Sequence, residues 1–178
     1  MPVWQVPTRT GPLISAAVEI RPVNPEEYTR AGQVVVDAYR ALPGSHMAGD
    51  YAAELADIAG RVAHAEVLVA VEERLMGCVT LVPDPSSPWA EGLAEGEVGI
   101  RMMAVDPSAQ GRGVGRALLE ACIARASGMG RTALFLHSTP WMTVAHQLYK
   151  RAGFVRVPER DWQPVPEVPL LAFRLELS

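Results

Sequence analysis

The amino-acid sequence predicts one mixed α/β domain, a central sheet with helices packed against it. Three observations predict it. Apolar runs of strand length and amphipathic helical runs follow one another in the order β-α-α-β-β-β-α-β-α-β-β. The 178 residues are 49% apolar and 20% charged, enough for the core of a single domain and unlike a disordered or fibrous chain. Finally, a glycine-rich turn, Gln110-Gly111-Arg112-Gly113-Val114-Gly115, stands between an apolar strand and an apolar helix, where α/β proteins commonly hold anions.

Each element has a local reason. Val18–Val23 alternates as a strand does. Asn24 then suits an N-cap and Pro25 a first helical position, with acids in the first turn of a helix that runs towards Leu42. A second helix is expected from Asp50 to about Ala65, because Tyr51, Leu55, Ile58 and Val62 recur at helical spacing. Residues 67–83 read as two strands joined by a turn at Glu72–Leu75, followed by a polar loop rich in turn formers, residues 84–97. Val98–Val105 is the next strand. In the helix after the glycine turn, Leu118, Leu119, Cys122 and Ala126 share one face. Ala133–Ser138 is a short strand of the buried type. Thr139 as cap, Pro140 at the first position and Gly153 just past the end delimit the following helix. Phe154–Val157 is a strand, and a proline-rich connector, Pro158–Pro169, leads to the last strand, Leu170–Leu177. The connector is too short to separate domains, so residues 18–178 form the domain and residues 1–17 an N-terminal extension.

Composition excludes several functions. Cys78 and Cys122 lie inside apolar runs without CxxC spacing, so neither a metal site nor a disulfide framework is expected. The first 17 residues lack the basic start and continuous apolar stretch of a signal peptide, and no run approaches a membrane span. A cytoplasmic protein with no membrane partner is the expectation. The net charge is −4, yet residues 107–156 carry seven basic residues against one acid, Glu120. That basic island of +6 leaves −10 for the remainder. It is too compact for a nucleic-acid surface, and it fits a small anionic ligand beside an acidic surround that attracts a cationic second substrate. Basic side chains that merely solvate helix faces would give the same count.

The glycine turn lacks the Gly-Lys-Ser/Thr of a Walker loop, and Arg116 replaces the last glycine of the dinucleotide fingerprint. What remains is Q/R-x-x-G-x-G/A. The stretch MMAVDPSAQGRGVGRALLEACIARA, Met102–Ala126, resembles the acyl-CoA pyrophosphate motif of the GNAT N-acetyltransferase superfamily. STPWMTVAHQLYKRAGF, Ser138–Phe154, resembles that family's second motif, and the two stand in the family's order and spacing. The resemblance implies a single-domain GNAT fold with a splayed central sheet, and acetyl-CoA or a related acyl-CoA as co-substrate, with no metal. It implies that backbone groups of Met103, Ala104 and Val105 pair with the pantetheine arm as an added strand would. The N–H groups of the loop, Gln110, Gly111, Arg112, Gly113, Val114, Gly115 and Arg116, would wrap the pyrophosphate, with charge from Arg112 and Arg116. Ala145, on the helix of the second motif, joins the cofactor-binding set.

Acyl transfer to an amine poses two proton problems. A lysine-like amine has a pKa of about 10.4 and must lose a proton to react, while the departing thiolate gains by taking one. Tyr149, four residues after Ala145 on the same helical face, is the candidate acid, because a phenol is still protonated at neutral pH. The family often places a glutamate six residues before the Val105 position; here that residue is Gly99. Glu97, two residues earlier on the same side of an extended strand, is the candidate base, acting through water. His137, His146, Trp141, Trp162 and Cys122 read more simply as packing or structural residues. The expected reaction is direct transfer from acetyl-CoA to a primary amine, of a small molecule or a protein, within a ternary complex. The rival is a non-catalytic acyl-CoA-binding sensor on the same fold. Dimers are common in that family, so a homodimer fits the resemblance.

Overall fold

The computed structural model describes residues 18–44 and 50–178. The expected extension, residues 1–17, lies outside the described residues. The strands are β1 (Glu19–Pro22), β2 (Glu66–Val71), β3 (Leu75–Val82), β4 (Glu97–Val105), β5 (Ala133–Ser138), β6 (Val155–Arg156), β7 (Trp162–Val165) and β8 (Val168–Glu176). The helices are α1 (Tyr28–Arg40), α2 (Tyr51–Ala56), α3 (Ile58–Val62), α4 (Val114–Gly128) and α5 (Thr143–Arg151). The sheet runs β1-β2-β3-β4-β5-β8-β6, with β7 paired to β8 off that path. Every pairing is antiparallel except β4 with β5, which α4 connects as a parallel crossover.

Helices on both faces explain why the central strands read as apolar runs instead of alternating. Val67 and Val69 of β2 pack with Val34 and Val35 of α1, Leu55 of α2 and Ile58 of α3. Leu68 and Ala70, pointing the other way, pack with Leu118, Leu119 and Cys122 of α4. All eight residues of β3 are buried. The four-residue apolar face expected of α4 is thus its core face.

Local chemistry decides where the helices begin. Asn24 and Pro25 do start a helical segment, first as a 3-10 turn over Pro25–Glu27, in which the Glu27 carboxylate accepts the Asn24 N–H at 2.9 Å. The single helix expected over residues 50–65 is instead two. Asp57 leaves helical geometry (φ −77°, ψ 76°), and its carboxylate accepts the Gly60 N–H at 2.8 Å, capping α3. An aspartate that can cap a new helix competes with continuation of the old one. Leu55 and Ile58 are buried, while Tyr51 and Val62 stay partly exposed, at 41% and 37%. The helix expected from Thr139 begins at Thr143, because Pro140 and Trp141 form a turn closed by the Met142 N–H on the Thr139 carbonyl. Gly153 ends it at φ +96°, as its position predicts. The connector Pro158–Pro169 holds a 3-10 turn at Pro158–Arg160 and an additional strand, β7. Pro164 is tolerated there because β7 is an edge strand.

Helices α1 and α2 touch at backbone distance. A Cβ on Gly32 of α1 would lie 2.5 Å from the Ala56 carbonyl oxygen. Gly32→Ala is therefore expected to destabilise the protein by about 1–3 kcal/mol, despite alanine's better helix propensity. Denaturant unfolding measures it, and a stabilised variant would refute the contact.

Candidate functional site

The site begins where two strands part. β4 and β5 pair only from Glu97 with Ala133 to Ile100 with Leu136, although β4 runs on to Val105 and β5 to Ser138. Past this fork, β4 has no strand partner on its β5 side among the described residues. A bulge reinforces the change of direction. Cys78 pairs Ala104 and Thr80 pairs Arg101, which leaves one extra residue on β4. Met102 takes φ +50°, the only positive value of a non-glycine among the described residues, a strain of order 1 kcal/mol. Arg61 of α3, fully buried, packs its guanidinium against the Met102 sulfur and donates to the Leu55 carbonyl at 2.9 Å. Met103 thus lies in the bulge, and Ala104 and Val105 follow it along the edge that β5 has left.

Beyond Val105 the chain turns into the glycine loop. Asp106 braces the turn: its carboxylate accepts from the Ser108 hydroxyl (2.6 Å) and N–H (2.9 Å), from Arg30 (2.5 Å) and from Arg74 (3.0 Å). Those donors, Ser108 foremost, hold the Asp106 carboxyl far below its ordinary range. Gly111 and Gly113 adopt φ +76° and +82°, and a Cβ at either would meet nothing within 4 Å. Glycine is required there by backbone conformation, and the space beside it is open. Gly113 caps α4, whose first-turn N–H groups at Val114, Gly115 and Arg116 have no intrahelical acceptor. A Cβ on Gly115 would touch Leu148 at 3.5 Å and Val105 at 3.6 Å, so the start of α4 lies against both α5 and the end of β4. Gln110 is exposed at the loop's entrance.

The basic island does not stay unpaired on folding. Arg112 holds Glu72 at 2.5 Å, Arg116 holds Glu120 at 2.7 Å, Arg125 holds Glu66 at 2.5 Å and Arg156 holds Asp161 at 2.7 Å. Three of those acids come from outside the island, a correction to the isolated positive patch expected from charge counting.

Tyr149 of α5 is 5% exposed, its ring 5.7 Å from Phe154 and 5.8 Å from Phe173. Burial pushes its pKa up, so the hydroxyl keeps its proton at neutral pH. On α1, Tyr39 also has its pKa raised, by burial first and then by Tyr51 and Tyr149. Ala145, one turn before Tyr149, is half-buried against the same core. Each histidine of the site has a structural partner. His146 Nε2 lies 3.1 Å from the Ser138 hydroxyl, and His137 Nε2 lies 3.0 Å from the Arg160 carbonyl. Trp162 stands beside His137, with ring centres 6.3 Å apart, and Trp141 is half-buried in the turn before α5. Cys122 is buried, which pushes its thiol up to about 12.

Glu97 is 2% exposed at the start of β4. Its Oε1 accepts from Arg160 at 2.7 Å and Arg174 at 2.8 Å; its Oε2 accepts from Arg160 at 2.7 Å and the Ala94 N–H at 2.9 Å. Burial alone would raise its pKa, but Arg160, the Ala94 N–H and Arg174 together pull it down to about 2. A carboxylate has about four lone-pair sites, and all four are taken. Sequence reasoning missed these arginines because they lie 63 and 77 residues away, one in the connector and one in the last strand. At Gly99, a Cβ would meet the Leu93 methyls at 3.2 and 3.3 Å and Val82 at 3.5 Å, so loop and strand fill the position where a side chain would project. Among the described residues, no cluster of three or more His, Cys, Asp or Glu could hold a metal ion, and no helix is long and apolar enough to cross a membrane.

Comparisons with known proteins converge on one family. The model described as "Acetyltransferase (GNAT) family" matches residues 33–154, more than half of the chain. A mycothiol acetyltransferase of Cellulomonas flavigena is 39% identical over 84 residues, 47% of this chain and 24% of that protein. One of Geodermatophilus obscurus is 34% identical over 85 residues, again 47% of this chain and 26% of that protein. The chain thus matches only about a quarter of the length of these relatives. Among solved structures, a GNAT-family acetyltransferase of Staphylococcus aureus superimposes with TM-score 0.73 at 15% identity, over 91% of this chain and all of that one. A Salmonella typhimurium protein solved with its cofactor acetyl-CoA gives 0.66 at 20% identity, over 92% and 95%. At such identities the likeness is one of fold.

The Glu97 cluster makes a pH-dependent contribution of known sign. Its folded pKa of about 2 lies below the ordinary 4.5, so its stabilisation is complete above about pH 4.5 and is lost as pH falls towards 2. Glu97→Gln is expected to cost about 3 kcal/mol at neutral pH, since Arg160 loses its carboxylate partner and Arg174 is left with Glu176. The variant's stability should also fall less steeply below pH 4.5. Chemical denaturation at several pH values checks both, and an unchanged acid limb would contradict the assignment.

Proposed function

The chain belongs to the acetyltransferase (GNAT) family, and from that premise we propose that it moves an acetyl group from acetyl-CoA, or a closely related acyl-CoA, to a primary amine of a small molecule or a protein. The carrying observation is the cradle at the start of α4, where Gly111 and Gly113 take positive φ beside open space, next to the fork between β4 and β5. Acetyl-CoA supplies an activated thioester and a pyrophosphate handle. The loop's N–H groups and the positive end of the α4 dipole favour that pyrophosphate. Arg112 and Arg116, already partly exposed, can exchange Glu72 and Glu120 for phosphate oxygens. The open edge of β4 at Met103–Val105 offers backbone groups to an amide-bearing arm. The name of the curated relatives, mycothiol acetyltransferase, supports acyl transfer; the fraction matched is too small to carry their acceptor across.

In this reading the ammonium first loses a proton to water, and the free amine attacks the thioester carbonyl within a ternary complex. The C–S bond breaks, the Tyr149 hydroxyl gives its proton to the departing sulfur, and the proton that the nitrogen sheds as the amide forms restores the phenol through water. Glu97 is read as structural. With every lone pair engaged and a pKa of about 2, it is a poor proton acceptor. That, with Gly99, is the one observation favouring a non-catalytic acyl-CoA-binding module. Acceptor-dependent thiol release from acetyl-CoA separates the two readings.

Two variants test the cradle and the acid. Gly113→Asp adds a carboxylate and a disfavoured positive φ where phosphate is read to bind, so CoA affinity measured by calorimetry should fall at least tenfold, by about 1.4 kcal/mol or more. Unchanged affinity in a folded variant would remove the loop from the site. Tyr149→Phe keeps the ring packing and removes the proton, so turnover should fall by about 10²-fold or more with CoA affinity nearly intact. Wild-type turnover under chemistry-limited conditions would leave Tyr149 a core residue.

A further inference from the structure

On the sheet face that carries α1 and α2, a small niche opens at the fork. Ile100 and Leu136, the last paired residues of β4 and β5, border it, and Trp89, Glu91, Arg101, Phe135 and His137 complete its rim. Gly99 lies at its base, with Leu93 packed close above. Its volume is about 10 Å³, the space of one water-sized group, which is also the size of an ammonium head.

The polar groups of the niche are held in place. Arg101 donates to the Trp89 carbonyl at 3.2 Å, lies 3.3 Å from the Glu91 carboxylate and stacks its guanidinium 5.9 Å from the Trp89 ring centre. One β4 side chain therefore fixes both Trp89 and Glu91 of the long loop against the sheet. The two carboxylates of this region then differ in one decisive respect. Glu97 has its oxygens fully engaged by Arg160, Arg174 and Ala94. Among the described residues Glu91 is paired with one cation, Arg101, and its side chain is a quarter exposed. A carboxylate so placed has acceptor sites to spare, and the Trp89 ring beside it, which Arg101 borders, is of the kind that attracts cations.

We propose that Glu91 and Trp89 form the recognition site for the acceptor's ammonium group, with Arg101 as the positioning residue. The proposal rests on the acetyl-transfer reading above and narrows its substrate class to amines that are protonated in solution and carry the nitrogen on an unbranched carbon. The Leu93 wall and a niche one water wide leave no room for branching next to nitrogen.

The test titrates propylammonium and tert-butylammonium chloride into the CoA-saturated protein by calorimetry, and measures thiol release from acetyl-CoA with the same two amines. Wild type should bind propylammonium in preference to tert-butylammonium. Glu91→Gln should bind it at least about tenfold more weakly, as expected for loss of a hydrogen bond to a charged group. In turnover the loss should appear in KM, with kcat little changed; Glu91→Asp, which keeps the charge, should recover part of it. Equal binding by wild type and Glu91→Gln, or no preference between the amines, overturns the niche. Thiol release in which Glu91→Gln matches wild type overturns the niche and leaves the acetyl-transfer reading standing. Glu91-dependent binding without thiol release does the reverse, and neither binding nor release overturns both. Unchanged CoA affinity and an unchanged melting curve show that Glu91→Gln is folded.

Discussion

Four residue pairs hold β4 to β5, and the rest of the molecule is arranged around the point where that pairing stops. Two adjacent strands in a sheet ordinarily saturate each other's edges, and an edge left open inside a domain costs buried hydrogen bonds unless something else meets it. Here the edge opens after Ile100, the Met102 bulge turns it outward, and the glycine loop starts directly beyond it. Helices α1 to α3 cover one side and α4 and α5 the other, so the fork lies between the two cores.

The parts of this arrangement that were legible in the sequence are those encoded within a few residues. Asn24 with Pro25, the glycine loop and Gly153 each carry their own backbone instruction, and each appears where the local chemistry puts it. Local reading failed where two local instructions competed. Asp57 broke a periodic helix by capping a new one, and Pro140 began a turn instead of a helix. It failed again in the proline-rich connector, because β7 is made by its pairing with β8 and has little alternation of its own. The face of Glu97 was also beyond reach. Nothing near residue 97 announces that Arg160 and Arg174 will converge on it and engage the carboxylate that local reading offers as a base.

Charge counting along the chain shows the same limitation. The stretch from residue 107 to 156 is strongly basic as a string, yet folding brings Glu72, Glu66 and Asp161 onto its arginines. The pairs at Arg112 and Arg116 are exposed enough to contribute little net stability. Exposed pairs of that kind are readily exchanged, so they keep the loop neutral without locking it.

The position of β8 between β5 and β6 bears on how the protein comes into being. A chain emerging from the ribosome makes β5 and β6 early but joins them only through a strand that is synthesised afterwards. Until residue 176 has cleared the exit tunnel, β5 has one edge with no neighbour and Tyr149 lacks the Phe173 ring it packs on. During that interval the nascent sheet presents an apolar, strand-shaped vacancy of the sort that chaperones bind and that like chains pair with. Completing the sheet and closing that edge of β5 are then a single event, set by the synthesis of β8.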